Sequence, residues 1–157
     1  MGITYAYTGD IATEEQCYRK SVELNPSDAN ALVALALVIV ARGDKERGLS
    51  MFREAFRLNP YHPEWYWVDY GSTLYVCERY EEAIEAFSHR REPHVWVLSR
   101  LAACYAQLDR MEEAKAVVER IMKKNPGFRL SQQRYGSWRS KDTARFRAGM
   151  IKAGLPE

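Results

Sequence analysis

The stretch Trp67–Phe87, "WVDYGSTLYVCERYEEAIEAF", decides the fold. Its first half places Trp67, Tyr70, Gly71 and Leu74 at i, i+3, i+4 and i+7, one face of a helix. Its second half places Tyr80, Ala83, Ile84 and Phe87 on a second helical face. The polar pair Glu78-Arg79 between them reads as a turn. The stretch predicts two helices packed back to back.

The same pattern recurs on both sides. Upstream, Leu32, Leu35, Ala36 and Ile39 precede the turn Arg42-Gly43-Asp44, followed by Gly48, Phe52 and Ala55. Downstream, Leu98, Leu101, Ala102 and Tyr105 precede the turn Gln107–Arg110, followed by Ala114, Val118 and Ile121. Prolines mark the joints: Pro26, Pro60, Pro93 and Pro126 are spaced by 34, 33 and 33 residues, three of them following an asparagine. Proline ends a helix because it lacks an N–H and restrains the residue before it. The small residues Gly2, Ala36, Gly71 and Ala102 step by 34, 35 and 31. The short step falls at "SHRREPHV" and predicts a shortened second helix or a changed stacking angle in that unit.

These residues resemble the tetratricopeptide repeat (TPR), whose signature W-x2-L-G-x2-Y…A-x3-F…P has a period of 34. The resemblance implies an all-α, right-handed TPR α-solenoid of antiparallel helix pairs with a C-terminal capping helix. One domain over 1–157 then divides into a partial first repeat (1–28), repeats at 29–62, 63–94 and 95–127, and a cap at 128–157. The first repeat, with Gly2, Tyr5 and Tyr18 in place but Glu14 where a small residue is expected, predicts a chain that begins inside a repeat of something longer. In the cap, Asp142 is the expected helix N-cap and Gly154-Leu155-Pro156 the stop. Leu130, Trp138, Phe146, Met150 and Ile151 are the expected buried side. Residues from about 55 to 157 are also similar to the C-terminal TPR arm of bacterial class III adenylate/guanylate cyclases, in the wording of "FRLNPYHPEWYWVDYGSTLY", "LAACYAQLDRMEEA" and "FRAGMIKAGLPE". No cyclase metal-binding carboxylate can be carried over to a residue here, so that likeness implies a regulatory or scaffolding arm.

Composition agrees with a folded domain: 46% hydrophobic and 28% charged residues. The net charge of +2 is unevenly spread. Residues 122–157 carry 9 Lys+Arg against 2 Asp+Glu, and residues 1–121 carry 14 against 19. A basic end on an acidic body points either to a packed contact between them or to an acidic partner. Cys17, Cys77 and Cys104 are odd in number and widely spaced, which argues against a disulfide framework and a zinc site. They read as small buried or half-buried apolar residues in a reducing, cytoplasmic setting. "MGITYAYTGD" lacks the basic and apolar regions of a signal peptide. The apolar run Ala31–Ala41, "ALVALALVIVA", is too short for a membrane span.

No catalytic, metal or cofactor motif is present: neither a P-loop, a dinucleotide fingerprint nor H-E-x-x-H occurs. His89 and His94 near Glu92 read as solvated junction residues. Tyr135 and Trp138 in the basic tail offer a loose nucleic-acid patch, but their i, i+3 spacing reads more simply as a core stripe. The TPR likeness implies a partner protein or peptide held on a concave surface lined by the first helix of each repeat. Carried onto this chain, that surface is Asn30, Val33, Leu37 and Val40; Trp65, Val68, Asp69, Ser72 and Tyr75; then Trp96, Ser99, Arg100 and Ala103. The chosen groove residues are Val33, Leu37, Val40, Trp65, Asp69, Tyr75, Trp96 and Arg100, with Trp65 equally readable as inner-wall packing. The function expected is scaffolding or protein interaction in bacterial signalling, with no small-molecule substrate and no membrane. The alternatives are the cyclase arm and, less favoured, a nucleic-acid factor. An apolar groove around Val33, Leu37 and Val40 predicts cover by another chain, a homodimer included.

Overall fold

The computed structural model describes residues 11–133 and 138–157. The described residues hold α-helices, one short 3-10 helix and no strand. The helices are α1 (Ile11–Leu24), α2 (Ala29–Arg42), α3 (Lys45–Leu58), α4 (Trp65–Val76), α5 (Tyr80–Ser88), α6 (Val95–Gln107), α7 (Met111–Lys124) and α8 (Ser140–Lys152), with the 3-10 turn at Leu130–Gln132 between α7 and α8. They form two compact units, residues 1–62 and 63–157.

The Asn-Pro pairs do more than stop helices. The N–H groups of Asp28, His62 and Phe128 donate to the carbonyls of Asn25, Asn59 and Asn125 at 3.1, 3.2 and 3.0 Å. Each is an i to i+3 turn with proline at its second position, where a fixed φ fits. At two of them the Asn side chain also accepts a backbone N–H, from Ser27 (3.3 Å) and Gly127 (3.1 Å). The chain therefore reverses on a stereotyped joint.

Four helices close in another shared way. Gly43, Glu78, Asp109 and Gly154 have φ of 108°, 67°, 58° and 90°. The N–H after each donates back five residues, to Ile39, Leu74, Tyr105 and Met150, at 2.9–3.1 Å. This closure satisfies carbonyls that a helix end leaves open. Glycine suits the left-handed residue, yet Glu78 and Asp109 occupy it in two hairpins.

In the first unit α2 lies between α1 and α3. Asp28 caps it, accepting from the N–H of Asn30 (2.9 Å) and Ala31 (3.1 Å). Contact with α3 is close, since a Cβ at Gly48 would collide with Val40 Cγ2. Two neighbours explain an apolar helix: Val33, Ala36, Leu35 and Val40 are all 5% exposed or less. Cys17, expected at least half-buried, is exposed on α1, whose residues include none that is fully buried.

In the second unit α4 pairs with α5 and α6 with α7, and α5 packs on α6. Helix α5 is short, nine residues against fourteen in α7, as the compressed repeat step anticipates. A Cβ at Gly71 would fall 2.7–2.9 Å from three carbons of the Phe87 ring, so only glycine lets the ring seat there. Beyond α7, Phe128 and Leu130 are buried, and α8 returns to pack on α6. Two expectations for this tail need correcting. The α8 N-cap is Arg139 and not Asp142, which lies in the first turn and is fully buried. Ile151 is 48% exposed, because Phe146 and Met150 one turn apart carry the buried stripe and Ile151 lies beside it.

Candidate protein-interaction face

Helix α4 aligns Trp65, Val68, Asp69, Ser72 and Tyr75 along one stripe, and α6 aligns Trp96, Ser99, Arg100 and Ala103. Trp65, Val68, Asp69, Trp96 and Arg100 are half-buried. Ser72, Tyr75, Ser99 and Ala103 are buried. The chain's own end lies over Tyr75, Ser99 and Ala103 of the second group.

The contacts are specific. Gln133 is buried, and its Oε1 lies 2.8 Å from Ser99 Oγ, which also bonds the Trp96 carbonyl. Trp138 stacks on Tyr75, and Phe146 meets both rings edge-on at 5.7 and 6.0 Å. The Arg100 guanidinium stands over Trp138 at 5.7 Å. Gly149 sits over α6, where an added Cβ would lie 3.0 Å from Gln107 Nε2 and 3.5 Å from Ala106 Cβ. The Gln107 amide donates to the Arg145 carbonyl at 3.2 Å.

Charge fixes the tail to its seat. Arg145 bridges Glu78 (2.8 Å) and Asp142 (2.9 Å) and lies over the rings of Tyr75 (5.5 Å) and Tyr80 (5.9 Å). Lys152 pairs with Asp109 at 2.7 Å. The basic tail thus meets acids of α8 itself and of the preceding turns, the packed contact that its charge asymmetry allowed. At the other end of the face, burial pushes the Asp69 carboxyl up to about 6, while the Arg100 charge pulls it down. Burial likewise raises the Tyr75 hydroxyl and the Cys104 thiol, which keeps that thiol protonated and unreactive.

Of the groove residues read from the sequence, Trp65, Asp69, Trp96 and Arg100 lie on the partly open face of the second unit. Trp65 packs edge-on against the buried Tyr66 ring at 4.3 Å, and Trp96 against Phe128 at 5.0 Å. Tyr75 was expected at an open surface and is instead 0% exposed beneath Trp138, Phe146 and Arg145. In the first unit Val33 (0%) and Val40 (5%) are buried within the chain, so neither offers an open surface. Leu37 is half-exposed, on a strip with Asn30 and Ala41. Sequence reading assigned Trp138 and Phe146 to a core but missed that they, with Arg145 and Gln133, complete this face. Their contacts join residues up to 70 positions apart, beyond the reach of a helical period. Tyr135 lies outside the described residues.

His89 stacks on Trp67 at 3.9 Å and His94 on Trp96 at 6.3 Å, so both histidines serve as aromatic neighbours. Among the described residues, no three His, Cys, Asp or Glu side chains gather as a metal-ligand group. No described helix is long and apolar enough to cross a membrane.

Helix pairs of about 34 residues, small residues where the paired helices touch and asparagine-proline joints are now in place. Residues 78–133 and residues 1–28 each match a family described as tetratricopeptide repeat. The chain carries tetratricopeptide repeats. The fold of this TPR chain is similar to the crystal structure of MamA, with a TM-score of 0.65 and 16% identity over 92% of this chain and 87% of that one. It is also similar to YrrB, described as a TPR protein with an unusual peptide-binding site, with a TM-score of 0.62 and 18% identity over 92% and 77%. In sequence it is similar to the type IV pilus assembly protein PilF of Pseudomonas aeruginosa, 25% identical over 130 residues, or 80% of this chain. The chain spans about half, 51%, of that relative's length.

Proposed function

We propose that this TPR chain is a non-catalytic protein-interaction module of the bacterial cytoplasm. It holds a peptide segment of a partner on the face lined by Trp65, Val68, Asp69, Trp96 and Arg100. The observation that carries the reading is the row of half-buried aromatic and apolar side chains on α4 and α6, with one acid and one base among them. Large rings with partial exposure gain most from a further layer of apolar contact. YrrB, which shares the fold, is described by its peptide-binding site, and PilF is named for assembling a pilus. Both accord with a role in holding other proteins. The cyclase-arm alternative rests on the wording of residues 55–157 alone and adds a catalytic domain that none of these helices supplies.

The test is a photo-crosslinking amino acid at Val68 in the intact cell, with Glu119 on the exposed side of α7 as control. A discrete adduct from position 68 that is absent from position 119, and lost in Trp65→Ala and Trp96→Ala, is expected. Equal labelling at both positions, or none at 68, overturns the reading.

A further inference from the structure

Resting on that reading, we infer that Tyr75 of α4 with Arg100, Ala103 and Ala106 of α6 forms a seat for an amphipathic helix bearing an aromatic residue and an adjacent arginine, and that residues 138–157 are its displaceable occupant.

The occupant shows what the seat accepts. Phe146 and Met150, one turn apart, are both 0% exposed, and Leu155 just beyond them is 3% exposed. Such i, i+4 anchors are how a helix lies in a groove. Gly149 lets the two helices approach over Ala103 and Ala106, where a larger residue would hold them apart. Arg145, next to Phe146, reaches Glu78 at the rim. The seat therefore reads shape, aromatic stacking and one positive charge.

Its joint with α8 differs from the permanent joints of the same unit. Helix α7 meets α6 through Ala114, Val117, Val118 and Ile121, all apolar and buried. The α8 joint adds to its apolar anchors a charged pair, the buried Asp142 with the partly exposed Arg145. Asp142 is 0% exposed, one of its oxygens bonds Arg145, and the other, Oδ2, has no hydrogen-bond partner among the described residues. Arg145 Nε has none either. Burying such groups without full pairing opposes docking, and undocking returns them to water. A contact of this composition can give way to a competing helix, whereas the α6–α7 joint cannot without unfolding.

Release is tested on the full chain with a lock. Cβ atoms at positions 106 and 149 would lie 3.5 Å apart, within the span a disulfide bridges. Ala106→Cys with Gly149→Cys, in a background of Cys17→Ser and Cys77→Ser, closes the seat on oxidation and frees it on reduction. The probe is a fluorescein-labelled synthetic peptide of residues 138–157. Uptake by the reduced protein and none by the oxidised form is expected. A second variant, Gly149→Phe, keeps the tail but blocks its docking, and should bind the wild-type peptide at least about tenfold more tightly than the wild-type chain does, because the competent fraction rises. Equal behaviour of the oxidised and reduced forms, or no uptake by any form, shows a permanent cap and overturns the inference. Val68 is half-exposed with the tail docked. Crosslinking lost there while peptide exchange persists would therefore remove the partner reading and leave this one standing.

Discussion

Trp138 lies flat on Tyr75, with ring centroids 5.3 Å apart and planes 8° from parallel. One ring belongs to the chain's last segment and the other to a helix two hairpins earlier, so this stack closes the second unit. Trp138→Ala should destabilise that unit by about 2–4 kcal/mol, since a large ring and its stacking are both lost. Urea denaturation followed by circular dichroism measures it; a change under about 0.5 kcal/mol would mean the stack contributes nothing.

Gly71→Ala should destabilise, although alanine is the better helix former by about 1 kcal/mol. The new methyl would meet the Phe87 ring at 2.7–2.9 Å in a buried joint. Overpacking of this kind costs about 1–3 kcal/mol. Adding Phe87→Leu should recover part of the loss, which a thermal melt of the single and double variants would show.

Asp69 should make the protein less stable as pH rises. Its carboxyl is pushed up to about 6 in the folded chain, against about 3.9 when unfolded. Below pH 4 both states hold the proton and the group has no effect. Between 4 and 6 the folded state keeps a proton the unfolded state has lost, so stability falls, and above 6 the full penalty applies. Asp69→Asn should gain about 1–2 kcal/mol at pH 7.5 and nothing at pH 3.5, discounted for the group's partial exposure. Urea titrations at those two pH values decide it; a gain independent of pH would sink the argument.

Arg145→Met should cost about 3 kcal/mol, because Asp142 would be left buried without its partner. Arg145→Met with Asp142→Asn should recover most of that. A double-mutant cycle on denaturation midpoints reads the coupling, and additive losses would show that the two side chains do not act as a pair.

Leu37 and Val33 should part company. Leu37→Asp changes a half-exposed side chain and should leave the fold standing, while Val33→Asp puts a charge at a 0% exposed position and should unfold the first unit. Circular dichroism separates the two. Sedimentation of Leu37→Asp beside the wild type also tests the homodimer expected from the sequence: a wild-type chain that stays monomeric at every concentration removes it.

The helix pairs were legible because their signals are local. Gly43 marks a turn, Asn-Pro marks a joint, and Leu32 to Ile39 mark a face within eight residues of one another. Two other features were not. Periodicity assigns Val33 and Val40 to the side opposite Leu35, but it does not say that a second helix covers that side. Tyr75 reads as a groove residue because it lies in line with Trp65 and Val68. Its cover comes from Trp138, Phe146 and Arg145, and no spacing rule links residues so far apart.

The tail's seat has a consequence for synthesis. A ribosome makes α6 before α8, and roughly 45 residues separate their ends, which at about 5–20 residues per second leaves a gap of a few seconds. Throughout that interval Arg100 and Ala103 are already built and the helix that will cover them is not complete. A partner present at the ribosome meets the nascent chain with its seat vacant, whereas one arriving later must compete with a helix tethered to the same polypeptide. Which of the two assembles more readily is therefore set by timing as well as by affinity.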